Sequence, residues 1–195
     1  MSAAMTPTVD RALTLEAIRA RGWRVVLLGP RAKRPHTKTW EITADTDRAD
    51  AHLEAGGNLG LITDENTGVA VLDPDDLPGW ADMVDTLGQP GPPWVITGSG
   101  RLHYYIQWTD CLPAKLTWRG KIIGEIQRGP GLQQVVMPPS IHPRTGLAYR
   151  WITERLGFLC APINPVIDPL PSLPGLWLAY LRHEAYEREY RNEHR

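Results

Sequence analysis

The sequence predicts an α+β (α/β) protein: a mixed, mostly antiparallel sheet with helices packed against it. Three observations predict this. Short runs rich in β-branched and aromatic residues recur at 24–28, 58–63, 69–75, 94–97, 103–108, 121–128, 133–137 and 148–152. Helical patterns are fewer and lie between or around them. Gly and Pro number 18 each, which favours turns and short strands over long helices.

The chain has 195 residues, enough for one good-sized domain or two small ones. Apolar residues make up 42% and charged residues 22%, an ordinary globular balance. The net charge of −1 gives no global basic field for nucleic acid, though a local basic groove is compatible with it. Cys111 and Cys160 fit no CxxC spacing, which argues against a zinc site built on cysteine pairs. No apolar run approaches 18 residues and no apolar leader opens the chain, so a cytoplasmic protein without membrane contact is expected. Eight Trp stand against one Phe.

Taken in order, Asp10 to Arg21 reads as an amphipathic helix stopped by Gly22. The strand at 24–28 runs into a basic loop carrying Arg31, Lys33 and Arg34. Such a loop is either solvated surface or a clamp on phosphates. Thr43 to Asp47 is rich in N-cap residues and opens a short helix ending at Gly56-Gly57. The strands at 58–63 and 69–75 flank Asp64-Glu65-Asn66-Thr67-Gly68 and read as a hairpin. Pro78 to Leu87 is a helix with Gly88 at its end.

In the strand from His103, the side chains of His103, Tyr105 and Gln107 share one face and Tyr104, Ile106 and Trp108 the other. Residues 110–120 read as a loop carrying Lys115 and Arg119. In the strand 121–128, Ile122, Gly124 and Ile126 share a face, with Glu125 opposite beside Ile123. Gly129-Pro130-Gly131 then turns the chain into the strand at 133–137. A first domain over 10–160 is expected. A Pro-rich connector and charged helix would follow over 161–195, with Glu184/Arg188 and Glu187/Arg191 at i,i+4 spacing. The chain ends inside that helix, as the front module of a longer protein would.

The chemistry concentrates at strand ends. Val69-Ala70-Val71-Leu72 is apolar on both faces, as in a strand covered on both sides, and ends in Asp73-Pro74-Asp75-Asp76. Alternation points Asp73 and Asp75 the same way, and Pro74 and Asp76 the other. Two adjacent carboxylates either cap the next helix as an acidic turn or share a cation, for which magnesium or manganese suits hard oxygen ligands. Glu125 sits in an apolar strand and needs a partner: Arg128, Lys121, or a metal shared with Asp73 and Asp75. Ser99, Gly100 and Arg101 offer a hydroxyl, N–H groups and charge to a phosphate ahead of His103.

This ordered set resembles the bifunctional DNA primase/polymerase (prim-pol) domain of the archaeo-eukaryotic primase superfamily, found in phage and plasmid replication proteins. The segments carrying the likeness are Asp73-Pro74-Asp75, Thr97 to His103, Gly124-Glu125-Ile126 and Val135 to Ser140, over roughly residues 10–155. Flanking agreement comes from Gly22-Trp23, Lys33 with Pro35 and Trp40, Asn58 to Leu61, and Gly146 with Tyr149 and Trp151. The resemblance implies an RRM-like core. It implies Asp73, Asp75 and Glu125 as ligands of Mg2+ or Mn2+, and Ser99 and His103 as contacts of the triphosphate. Lys33, Asn58, Gly100 and Arg101 would belong to the nucleotide or template pocket. It also implies a (d)NTP, a DNA template and a primer as partners, with a helicase domain or protein beside them. The third acid is often Asp in this family and is Glu here, and Arg101 replaces one of the paired glycines before His103. No Gly-x-x-x-x-Gly-Lys-Ser/Thr segment occurs, so no P-loop helicase lies within the chain. Ser140 and His142 read as structural.

The leading expectation is a template-directed nucleotidyltransferase. One alternative is a non-catalytic module binding single-stranded DNA or primer-template through Arg31, Lys33, Arg34 and exposed tryptophans. Another is an untemplated nucleotidyltransferase or triphosphate hydrolase.

Overall fold

The computed structural model describes residues 6–36, 40–129, 133–155 and 161–194. Four helices and ten strands follow in the order α1 (Thr6–Arg21), β1 (Val25–Leu28), β2 (Ile42–Thr43), α2 (Thr46–Glu54), β3 (Asn58–Ile62), β4 (Val69–Pro74), α3 (Leu77–Leu87), β5 (Val95–Ile96), β6 (Leu102–Gln107), β7 (Lys115–Trp118), β8 (Lys121–Gln127), β9 (Gln134–Met137), β10 (Arg150–Trp151) and α4 (Gly175–Glu193). They build a four-stranded sheet, β2-β1-β3-β9, and a six-stranded sheet, β10-β5-β6-β4-β8-β7. Every pairing between these strands is antiparallel, which establishes the α+β class.

Two cores follow from side-chain alternation along β4 and β6. Val69, Val71 and Tyr105 enter the first core, together with β1, β3, β9, β10 and the inner faces of α1 and α2. Ala70, Leu72, Tyr104 and Ile106 enter the second, against α3, α4, β7 and β8. Val69 to Leu72 are fully buried, as the two apolar faces predict. Because Asp73 and Asp75 continue the face of Val69 and Val71, they emerge at the end of the first core, between the sheets.

Tryptophan fills both cores. Trp23, Trp94 and Trp151 surround Tyr105, with ring centroids 6.3, 5.9 and 5.8 Å from it. Trp80 packs between Tyr104 and Trp177 at 4.8 and 5.4 Å. Trp177 donates its N–H to the Gly88 carbonyl at 2.9 Å, and with Leu181 it makes the start of α4 part of the second core. The Pro-rich segment before α4 is also pinned: the Arg21 guanidinium donates to the Pro165 carbonyl at 2.5 Å and to that of Asp168. Trp118 is buried as well, and Trp40 and Trp108 are half-buried. No tryptophan is fully exposed, and Trp40 and Trp108 are the two that keep a substantial part of their surface accessible.

Several expectations are corrected. Helix α1 begins at Thr6 rather than Asp10, whose carboxylate instead accepts the Trp151 backbone N–H at 3.0 Å. β3 and β4 do not form a hairpin. All five residues of β3 are buried, and both its edges are taken by β1 and β9. The Asp64–Gly68 turn therefore carries the chain from one sheet to the other. The segment after β8 likewise crosses between sheets, since β9 pairs with β3; residues 130–132 lie outside the described set. The expected loop at 110–120 contains β7. It turns into β8 through Arg119 and Gly120, with φ of 48° and 79°, the pair of positive angles a tight hairpin needs. Ile123 and Ile126 both enter the second core while Ile122 is exposed. A β-bulge explains this: Leu116 pairs with Gly124 but Thr117 with Ile122, leaving Ile123 extra.

The bulge serves the acid strand. The Ile123 carbonyl accepts the N–H groups of Asp75 and Asp76 at 2.8 and 2.9 Å. Asp76 turns away to cap α3. Next to it, Gly124 faces Pro74 so closely that a Cβ would meet the Asp73 carbonyl oxygen at 2.4 Å. Gly124→Ala is expected to cost about 1–3 kcal/mol, the usual range for overpacking, read as a fall in the urea midpoint. Trp177→Ala is expected to cost about 3–5 kcal/mol by cavity formation, measured the same way.

Candidate active site

Asp73 of β4 stands directly opposite Glu125 of β8 in the antiparallel register, so both side chains leave the same face. With Asp75 they line a cleft of about 280 Å³ between the two sheets. Lys33 and Arg34 of the β1–β2 loop, Thr97, Ser99 and Arg101 of the β5–β6 loop, and His103 and Tyr149 complete the polar wall. Gln127 lies two residues beyond Glu125 on the same strand face, and Gln134, Val135 and Val136 of β9 close the opposite side.

The acids differ in their surroundings. Burial, then the neighbouring Asp75, push Asp73 up to about 6, against the partial relief of Lys33 and Arg101. Asp75 is exposed and pairs with Arg101. Glu125 is held below its ordinary value, first by the Lys115 ammonium at 2.5 Å and also by Gln127, whose amide donates to it at 2.9 Å. Its ionic partner is thus Lys115, directly across the β7–β8 pair. Arg128 instead donates to the Gly129 carbonyl, and Lys121 pairs with Asp76 at 2.6 Å.

His103 Nε2 lies 3.5 Å from Asp73 Oδ1. Burial, reinforced by Lys33, pushes the ring down to about 3, so the contact is between neutral imidazole and carboxylate. Its Nδ1 is buried with no hydrogen-bond partner among the described residues. Burial also lowers Lys33, while Asp73 opposes the shift.

The loops are held by their own hydrogen bonds. Gly100 N–H closes the β5–β6 turn on the Thr97 carbonyl at 2.9 Å, so it is not available to a phosphate as expected. The Arg101 N–H bonds to the Thr97 hydroxyl, which also meets Ser99 Oγ at 2.9 Å. Ser99 itself is exposed. Asn58 does not reach the cleft. It is 1% exposed, and its amide binds the carbonyls of Ala32 and Ile141 and the Ile141 N–H. It fastens the basic loop rather than touching a ligand. Ser140 bonds both the N–H and the carbonyl of Leu59, and His142 Nδ1 accepts the N–H groups of Arg144 and Thr145, both structural roles.

A family model described as bifunctional DNA primase/polymerase, N-terminal, matches residues 14–175, well over half of the chain. The chain belongs to this family. A comparison with curated proteins finds no match.

In this prim-pol domain, the structure brings together Asp73, Asp75, Glu125, His103, Ser99, Arg101 and Lys33 and leaves out Asn58 and the Gly100 amide. Pattern reading missed Lys115, Gln127 and Gln134. Gln127 was signalled by the two-residue period from Glu125; Lys115 and Gln134 depend on pairings the sequence did not disclose. Among the described residues, no three His, Cys, Asp or Glu side chains are gathered tightly enough to hold a metal. The donors nonetheless suit a hard divalent cation: all are carboxylates, they face one cleft, and half-buried Asp73 has no full compensation. No helix among the described residues is long and apolar enough to cross a membrane.

The raised Asp73 value has a pH consequence. Its folded pKa exceeds the ordinary 3.8, so the deficit in stability is absent below about pH 4 and complete above about pH 6. Without divalent cations, Asp73→Asn is expected to stabilise the protein at pH 8 by up to ~3 kcal/mol. It is expected to change little at pH 4. Thermal unfolding in EDTA at both pH values measures this.

Proposed function

We propose that the chain is a template-directed nucleotidyltransferase that makes or extends DNA primers from (d)NTPs. The observation carrying this reading is the cross-strand opposition of Asp73 and Glu125 in a cleft that also holds Asp75 and a rim of phosphate-binding groups. Asp73, Asp75 and Glu125 would hold Mg2+ or Mn2+. When bound, the cation supplies activation of the attacking hydroxyl and neutralisation of charge on the phosphate oxygens.

The remaining roles belong to the chain's own side chains. Lys33, Arg34 and Arg101 draw the triphosphate into the cleft and offset its charge. Ser99 donates its hydroxyl to a phosphate oxygen at the rim. His103 stays neutral at physiological pH, so it contributes a hydrogen bond rather than charge, and it orients Asp73. Arg101 pairs with Asp75 through Oδ1 and Lys115 with Glu125 through Oε1, so both cations would stand beside the acids that would hold the metal. Arg101 also lines the cleft that would receive the phosphates.

The test incubates the protein with labelled dNTPs, Mn2+ and a primed template, beside a template-free control. Incorporation is expected only with template, and in the order the template dictates. Template-independent products would point to an untemplated transferase, and free phosphate release without polymer to a hydrolase. The double variant Asp73→Ala/Asp75→Ala is expected to lose more than about a hundredfold in rate, beyond the loss typical of changes one shell outside a metal. Circular dichroism should show its fold retained. Undiminished incorporation by that variant would refute the reading.

A further inference from the structure

Three hollows adjoin one another through shared walls, beginning at the acids. The cleft shares Arg34, Gln127 and Gln134 with a second groove of about 390 Å³, whose other walls are Pro35, Trp40 and Gln133. Pro35 and Trp40 also wall a third hollow of about 500 Å³, beside Leu27 and His36. The reacting nucleotide's triphosphate is accounted for by the first hollow. The second has different chemistry.

Among the described residues, no carboxylate lines the second groove and Arg34 is its ionic group. Trp40 is half-buried and packs against the first core, which fixes the indole in place. The three glutamines are each tethered by one end. Gln127 Nε2 donates to Glu125, Gln134 Nε2 to the Lys33 carbonyl, and Gln133 Oε1 accepts the Arg128 N–H. A primary amide carries both donor and acceptor, so tethering one end pre-orients the group as a whole. Gln134 turns its Oε1 inward toward Gly60, which leaves the untethered ends of Gln127 and Gln133 for a ligand. A fixed indole, these two pre-oriented amides and a guanidinium match the three parts of a nucleotide: base face, base edge and phosphate. The volume falls within the range of about 300–1,000 Å³ typical of small-ligand sites.

We propose that this groove seats one nucleotide unit of the nucleic-acid strand adjoining the reaction centre, its base against Trp40 and its phosphate at Arg34. This rests on the nucleotidyltransferase reading, which supplies the strand. The same chemistry would accept a free second nucleotide, and the experiment separates the two sources.

The test measures binding of a fluorescent single-stranded oligonucleotide in EDTA by anisotropy, and binding of free dATP in a separate titration. Trp40→Ala is expected to weaken oligonucleotide binding about 5- to 150-fold, the range for losing one base–aromatic stack. Trp40→Phe is expected to restore most of it. Because Trp40 also packs on the core, a second measurement avoids mutation. A 5-iodouracil oligonucleotide, irradiated on the unaltered protein, should crosslink at Trp40 by mass spectrometry. A loss confined to free dATP would overturn the strand as occupant. Unchanged affinity for both, or crosslinks only elsewhere, would overturn the groove. Templated incorporation with Trp40→Ala binding unchanged removes this inference alone. Trp40-dependent oligonucleotide binding by a chain that never incorporates nucleotides removes the proposed activity and leaves the groove.

Discussion

The close approach of β4 and β8 at Gly124 is the constraint on which the cleft depends. Antiparallel register sets Asp73 across from Glu125 only if the two strands can come together there, and the Asp73 carbonyl leaves no space for a Cβ. The bulge at Ile123 works on the same junction. It returns Ile123 to the second core and aims one carbonyl at two successive N–H groups of the acid segment. Packing on one face of the sheet thereby fixes the geometry of charge on the other. A half-buried carboxylate beside a second acid is unfavourable on its own, and the fold holds it there through these backbone contacts rather than through its own interactions.

Charge in the cleft is balanced pairwise in this state. Asp75 meets Arg101, Glu125 meets Lys115, and Asp73 has the neutral His103 imidazole in contact and only the partial relief of Lys33 and Arg101, without a salt bridge to either. The least compensated acid is therefore the one at the centre. In the proposed site it is the acid whose charge a divalent cation would offset most, while the ion pairs of Asp75 and Glu125, each open to solvent, are weak in water.

What the sequence disclosed and what it withheld divide along physical lines. Periodicity of two placed the faces of β4 and β6 correctly, because both strands are buried on both sides and each side chain has to match one core or the other. The cap of α2 was readable in the N-cap-rich run from Thr43 to Asp47, where Asp45 takes the role, whereas Asp76 emerged as the cap of α3 only from the acidic-turn alternative. Partners between strands were not readable. A turn-like sequence at 64–68 is compatible with a hairpin or a crossing, and only the demand of fully buried β3 for two neighbours decides between them. β7 was missed because Lys115-Leu116-Thr117-Trp118 is too short to show a period, and the bulge because one extra residue inverts every later assignment. Asn58 was carried to the nucleotide by family resemblance. Its burial and its three backbone hydrogen bonds give it to the scaffold instead.

The aromatic cluster around Tyr105 gathers rings from segments bordering both sheets: Trp23 precedes β1, Trp94 precedes β5, and Trp151 lies in β10. Trp23 and Trp151 also stack on each other at 6.4 Å. Close-packed interiors resist sliding because every ring displaced must displace its neighbours. The two walls of the slot are therefore riveted at their base. Its width is a property of the fold, and accommodation of different guests falls to the rim, where Arg31 to Pro35 and Ser99 to Arg101 lie on loops.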